Sequence, residues 1–368
     1  LAPALDRFYA SAQSLSGDPG SLDLRGKYLR DAGGVASGFR ELGSQLMTIE
    51  SDSKAEIQSE IGKLNEYSKQ LGVVNAQLHG QNTSAAQAPQ LLDQRDQILR
   101  EMSKLTSIRV ETLDNGEVNV SLGDGGGKGG IVQGADSRPI AASFDGSSPG
   151  KVEIVIDPFG QPASVPGVTS GTIGGLISFR QQALEPTINQ LDVLASTFAN
   201  SVNSINKEGA DLKGQTGGDL FAIEPMYRVE APVAPQDSPF TDATIVAAKI
   251  VDEGSFAFHD LQMSFDSGRM LWTARDMVTG IKATGTDSIL INGTQINING
   301  SGQDAQTLIL RAVQHPSAGI TLVQKDAGSI AAAALFRVTP ASLNTGGTTA
   351  SITYRTPSVQ SVGPTVLN

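Results

Sequence analysis

Cysteine is absent from all 368 residues. That excludes disulfides, cysteine–zinc sites and a thiolate nucleophile, and it leaves the redox compartment open. Aromatic residues amount to only 5%, which suits a deep aromatic-lined ligand pocket poorly. Basic residues are in deficit, and the formal net charge is −11. Nucleic acid and anionic membrane surfaces both call for clustered Lys and Arg, so neither is an expected partner. No run of about 18 apolar residues occurs, so no membrane-spanning helix is expected. The N-terminal stretch lacks the basic start and apolar run of a signal peptide. The chain begins at Leu1, not Met, and ends in polar sequence; it reads as an excised internal fragment without either terminus.

Reaction chemistry is also sparse. The histidines are His79, His259 and His315, each alone in sequence. No HExxH, GxSxG or serine–histidine spacing appears. The run Gly123–Gly130, GDGGGKGG, lacks the spacing of a phosphate loop and the Ser or Thr that would follow Lys128, so a hairpin tip is the better reading. No DxDxDG calcium loop is present. The sequon Asn82-Thr83-Ser84 is a chance match of the kind a Gly/Ser/Asn-rich chain supplies. No catalytic residue, cofactor or metal site is therefore assigned, and the chain is not read as an enzyme.

What the chain does have is periodicity. Its length suggests two or three domains, and a hydrophobic content of 39% with 41 glycines suits aliphatic-packed helices beside Gly-rich β structure. Residues 1–34 read as short helices around the turn SGDPGS. From Val35, the residues Phe39, Leu42, Leu46, Ile49, Ile57, Ile61, Leu64, Tyr67, Leu71, Val74 and Leu78 step by threes and fours. This predicts a coiled-coil-like helix of about 60 Å, its seam interrupted by Ser53 and Glu60. A polar loop at 79–88 leads to QLLDQRDQILREMSKL, an amphipathic helix expected to pair with the first as an antiparallel hairpin.

At Ser107 the period switches to two. IRVETL, Asp114-Asn115-Gly116 and EVNVSL predict a β-hairpin with a type I′ turn, and the β pattern continues to about Val168. Residues 169–209 return to helix, capped by Ser170 or Thr172, with Pro186 predicting a kink or restart. The Pro-rich stretch YRVEAPVAPQDSPF reads as linker. ATIVAAKIV is a short strand or helix, and SIAAAALF a short helix or buried turn. FAFHDLQMSF, SILINGTQINI, QTLILRAV and GITLVQK read as strands.

The fold class is thus multidomain α+β. A helical rod domain (1–106 plus 170–215) carries a β-rich insert (107–169). An outer, mainly antiparallel β domain (216–338) follows, and 339–368 begins an incomplete segment or third domain.

Three stretches together resemble the bacterial flagellar hook-associated protein 1 family, which joins hook to filament. They are LLDQRDQILREMSKL with DNGEVNVSLGDG; GTIGGLISFRQQALEPTINQLDVLASTFANSVNSINKEGADLKGQTGGDLF, the most specific; and SILINGTQINI with KDAGSIAAAA. The resemblance covers residues 1 to about 335. It implies an extracellular structural subunit, exported without a cleaved signal peptide. Its partners would be copies of itself, hook and filament proteins and a neighbouring hook-associated protein. Exposed apolar surface is expected on the helices, and the isolated fragment is expected to be mostly monomeric. The second reading is a secreted β-rich surface protein that binds host proteins or glycans.

One residue breaks the pattern. Arg95 lies amid Leu91, Leu92, Leu99 and Met102, where a guanidinium must find a partner or snorkel to water. Asp192 on the returning helix is the candidate partner and Asn75 a neutral alternative. The Arg95–Asp192 tie would fix register between the helices; the other outcome is a packed stem with its head in water.

Overall fold

The computed structural model describes residues 1–81, 89–123, 129–144, 151–230, 244–252, 255–256, 258–299, 307–334, 336–340 and 350–354. In chain order the elements are α1 (Ala2–Gly17), α2 (Leu22–Gln81), α3 (Pro89–Leu105), β1 (Ile108–Thr112), β2 (Val118–Leu122), β3 (Gly130–Gln133), β4 (Asp136–Ser137), β5 (Ile140–Phe144), β6 (Val152–Ile156), β7 (Ala163–Val165) and α4 (Gly171–Phe179). A π-helical turn (Arg180–Leu184) then leads into α5 (Glu185–Glu208), β8 (Gly209–Ala210), β9 (Phe221–Ala222), β10 (Tyr227–Glu230), β11 (Thr244–Ile250), β12 (Leu261–Asp266), β13 (Leu271–Asp276), β14 (Lys282–Gly285), β15 (Ser288–Ile291), β16 (Thr294–Asn299) and β17 (Thr307–Ala312). After a short α6 (Pro316–Gly319) come β18 (Thr321–Leu322), a 3-10 turn (Ala327–Ser329), β19 (Ala333–Ala334), β20 (Phe336–Pro340) and β21 (Ala350–Tyr354). The fold is α+β and multidomain. No described helix is long and apolar enough to cross a membrane.

The long helix exceeds its sequence pattern. Leu22–Asp31 and the stretch from Val35 are one helix of 60 residues, running through Gly33 and Gly34. A mid-helix glycine costs about 1 kcal/mol relative to alanine, but Ala32, Val35, Ala36 and Phe39 are all essentially fully buried there. Burial of that face outweighs local propensity.

Two compact units divide the chain: Leu46–Ile188, and Leu1–Gln45 with Asn189–Asn368. The division falls inside α2 and inside α5. In the first unit, the sheets β1-β2-β3-β4 and β5-β6-β7 share one core with the helices. Ile57, Ile61, Leu64, Leu71, Val74 and Leu78 of α2 meet Ile98, Met102 and Leu105 of α3 there, with Ile173 and Ile177 of α4 and the inward residues of both sheets. The alternating burial of β2 and β6 shows which face each strand turns inward. Gly171, at φ +68°, sits where a Cβ would lie 2.5 Å from the carbonyl carbon of Leu105, so α3 and α4 approach through a position only glycine fills.

The β1–β2 hairpin forms in the expected place with a different turn. Asn115 is not among the positive-φ residues; Gly116 is, at 85°. The Gly116 amide donates to the Leu113 carbonyl at 2.9 Å, and the Leu113 amide to the Glu117 carbonyl at 2.9 Å. This is a three-residue loop closed by a left-handed glycine rather than a type I′ turn. The expected cap at α4 is also modified: Ser170 occupies the cap position but its side chain makes no cap bond. The hydroxyl of Thr172 bonds the Lys104 carbonyl instead. Upstream of Pro186 the helix widens into the π-turn 180–184. Proline offers no amide and its ring crowds the carbonyl four residues back, and the wider turn absorbs both defects without ending the helix.

In the second unit, a five-stranded antiparallel sheet (β10-β17-β12-β13-β14) and a three-stranded one (β11-β16-β15) enclose a core of Leu261, Met263, Trp272, Ala274, Ile289, Ile296 and Leu310. Tyr227–Glu230, read as linker, is the edge strand β10 paired with β17; the Pro-rich residues 231–240 lie outside the described set. ATIVAAKIV resolves as strand β11. GITLVQK supplies only the two-residue β18, and SIAAAALF supplies β19 and the end of a 3-10 turn. Residues 124–128 of the glycine run and Asn82-Thr83-Ser84 also fall outside the described set.

Candidate functional site

The polar chemistry is concentrated where helices meet β structure. In the first unit, Asn75 is fully buried on α2. Its Oδ1 accepts from the Val118 amide at 3.1 Å, while its Nδ2 donates to the Val118 and Gly134 carbonyls at 2.8 and 2.6 Å. Ten residues earlier, Asn65 treats Ile140 in the same way, with both bonds at 2.8 Å. A primary amide presents an acceptor and a donor side by side, as a neighbouring strand does. Each asparagine therefore ends a run of β backbone on a helix without leaving its groups unpaired.

The turn before β2 is gripped at three successive residues. Arg95 Nη1 donates to the Gly116 carbonyl at 2.7 Å, His79 Nδ1 meets Glu117 Oε1 at 2.7 Å, and Asn75 holds Val118. The expected Arg95–Asp192 tie is replaced by partners inside each residue's own unit. The β1–β2 turn brings the Gly116 carbonyl to Arg95, whose Nε and Nη2 also donate to Asp96. Asp192 is occupied by the turn at α6: it accepts from the His315 amide at 3.2 Å, the Ser317 amide at 3.1 Å and the Ser317 hydroxyl. Burial raises the Asp192 carboxyl above its usual range, and these hydrogen bonds only partly offset that.

The second unit repeats the device. Asn203 accepts from the Leu220 and Phe221 amides at 2.8 and 2.9 Å and donates to the Phe221 carbonyl at 2.8 Å. Asn206 joins the Gly218 carbonyl to the Ala331 amide. Arginines finish other carbonyls: Arg25 bonds Pro19 and Ile330, and Arg40 bonds Ile320. Asn65, Asn203 and Asn206 were not singled out from sequence. A buried Asn interrupts an apolar stripe as a surface one would, and only its backbone partner distinguishes it.

Two ionic clusters complete the set. Arg180, in the π-turn, is 3% exposed and contacts Glu50 at 2.6 Å and Glu185 at 3.0 Å, with its guanidinium 5.6 Å from the centre of the Phe144 ring. Asp276 is fully buried at the end of β13, where it receives His259, Asn292 and the amides of Val278 and Thr279. Burial pushes its pKa up, but the hydrogen bond from His259 and those from the two amides win and hold it below the ordinary carboxylate range. Among the described residues, no group of three or more His, Asp or Glu could hold a metal ion.

This arrangement defines a multidomain α+β protein whose buried polar groups join helices to β modules. Residues 1–221 match the family model for the helical domain of the flagellar hook-associated protein FlgK, and the chain belongs to that family. It is 27% identical over 348 residues to flagellar hook-associated protein 1 of Salmonella typhimurium, covering 92% of this chain and 61% of that protein. The Escherichia coli protein of the same name is 25% identical over 342 residues, covering 90% and 60%. The solved flagellar hook junction protein FlgK from Burkholderia pseudomallei superposes with a TM-score of 0.72 at 26% identity, covering 94% of this chain and 62% of that one. The chain thus spans about three-fifths of the length of these relatives. The comparisons lend no support to a host- or glycan-binding surface protein.

Proposed function

We propose that this chain is part of a structural subunit of the bacterial flagellum that joins hook to filament. It would assemble side by side with copies of itself and contact hook and filament proteins and a neighbouring hook-associated protein. Its place is outside the cell, after export without a cleaved signal peptide, and no catalytic role is assigned to it. The observation that carries the reading is the match of residues 1–221 to the family's helical domain, supported by the superposition on a hook junction protein over nearly the whole chain. In this reading 1–106 with 170–215 is the helical rod domain, 107–169 the β insert and 216–338 the outer β domain. Met47, Ile49 and Val73 of α2 are exposed, and large apolar side chains on helices are surface that neighbouring subunits can cover.

The test is complementation. The full-length protein is expressed in a bacterium that lacks its own hook-associated protein 1, and junctions are located by immunogold labelling. Label at the hook–filament boundary with restored swimming is the expected result. Bare hooks and unlabelled filaments would overturn the reading.

A further inference from the structure

The sheet β1-β2-β3-β4 ends on one side at β4, of two residues, and on the other at β1, of five. Every residue of β1 after Ile108 is exposed. No proline or bulge blunts this edge: the β1–β2 register runs unbroken from Ile108–Leu122 to Thr112–Val118. In an antiparallel ladder, alternate residues turn their main-chain groups to the neighbouring strand. The Leu113 amide bonds the Glu117 carbonyl, and the Gly123 amide the Ser107 carbonyl at 3.4 Å, so the odd-numbered residues of β1 face β2. Ile108, Val110 and Thr112 turn amide and carbonyl to the open side, where these groups make no bond among the described residues.

The side chains carry a second pattern. Val110 pairs with the buried Val120 and so shares the core-facing side of the sheet, yet it is 38% exposed. Arg109 and Glu111 lie on the opposite face. Neither forms an ion pair among the described residues, and Glu111 only accepts from the Asn119 side chain at 3.5 Å. Edge charges of one sign keep strands apart, but these two are opposite in sign and symmetric about Val110.

Both patterns select the same partner, an identical strand laid antiparallel about Val110. Arg109 then falls opposite the partner's Glu111, and Glu111 opposite the partner's Arg109. These are the non-hydrogen-bonded positions, where side chains approach most closely. The outward groups of Val110 meet those of the partner's Val110, and the outward groups of Ile108 meet those of the partner's Thr112. The result is a ladder of about six main-chain bonds. A slip of one residue sets outward groups against inward ones and loses both the bonds and the charge pairs.

We propose that the β1 edge is a self-association surface, through which two free copies pair about a two-fold axis at Val110 and join their sheets into one. Strand addition takes its affinity from main-chain bonds, so the five residues of β1 suffice for a weak, reversible contact, short of the roughly 800 Å² per partner of a stable interface. A two-fold contact is isologous and closes at two copies. It is separate from the side-by-side contacts proposed above and does not depend on them.

Charge reversal tests the pairing. Arg109→Glu sets two like-charged pairs across the axis, and so does Glu111→Arg; mixed one to one, the two variants are complementary again. Equilibrium sedimentation of the 368-residue chain is followed from about 10 μM to about 1 mM, the range a weak contact calls for. The parent is expected to move from monomer toward dimer over that range and to gain hydrogen-exchange protection at the Val110 amide. Either reversal alone should weaken dimerisation about tenfold or more, and the mixture should recover it. Both side chains are exposed, so circular dichroism and thermal midpoints should match the parent. A parent still monomeric at the highest concentration, a dimer indifferent to the reversals, or a mixture no better than its components would overturn the pairing and leave the junction reading standing.

Discussion

Asn75 and Val118 are 43 residues apart in sequence and share a reciprocal pair of hydrogen bonds, amide to Oδ1 and Nδ2 to carbonyl. The helix residue takes the place of a strand neighbour for the first residue of β2. Replacement by alanine leaves the buried Val118 amide and the part-buried Gly134 carbonyl without that partner. Asn75→Ala should cost ~3 kcal/mol and should remove the hydrogen-exchange protection of the Val118 amide. Retained protection with a loss under ~0.5 kcal/mol would show that the clasp is incidental.

The Arg180 cluster should behave as a unit. Arg180→Ala removes the cation facing Glu185, which is 8% exposed, and the partly buried Glu50, and is expected to cost ~3–5 kcal/mol. The combined change Arg180→Met, Glu50→Gln and Glu185→Gln removes the charges together and should recover most of that loss. Urea midpoints of the parent, Arg180→Ala and the combined variant read the result. A combined variant no more stable than Arg180→Ala would contradict a coupled cluster.

Asp276 and Asp192 should give opposite pH slopes. The folded pKa of Asp276 lies below its unfolded value, so its contribution is present above about pH 3.9 and fades as pH falls through the folded pKa. The folded pKa of Asp192 lies above its unfolded value, so its contribution is full below about pH 3.9 and fades as pH rises through the folded pKa. Thermal midpoints across the acidic range test this. The destabilisation caused by Asp276→Asn should grow as pH rises through the acidic range, and that caused by Asp192→Asn should shrink. Parallel slopes would refute the assignment.

Two glycines of α2 should respond in opposite directions. A Cβ on Gly62 meets nothing within 4 Å, whereas one on Gly72 would lie 2.6 Å from the Ala135 carbonyl oxygen. Gly62→Ala should stabilise by up to ~1 kcal/mol through helix propensity. Gly72→Ala should destabilise, by ~1–3 kcal/mol for an overpacked contact. Equal midpoints in denaturant would mean that the β3–β4 turn does not pack against α2 at Gly72.

The helices and the β1–β2 hairpin were legible because burial imposes a period, 3.6 in one case and two in the other. What escaped was decided at longer range. The long helix, read from Val35, is extended back to Leu22 by the buried face of Ala32, Val35 and Ala36. Tyr227–Glu230 was lost in a proline-rich context, and only its pairing with β17 makes it a strand. Arg95 was recognised as needing a partner, but that partner is a main-chain carbonyl, and no side chain advertises a carbonyl. The same holds for Asn65, Asn203 and Asn206, whose acceptors and donors are backbone atoms 75, 18 and 125 positions away in the longest cases.

Because these asparagines bind amides and carbonyls, they place no demand on which side chain the bound residue carries. Every residue except proline offers the same two groups at Val118, Ile140 and Phe221. The β modules can therefore drift in composition while the anchorage stays constant, which is one physical route to sharing an architecture at 26% identity. A lineage can re-face its outer strands one substitution at a time, and the helices beneath keep the same grip.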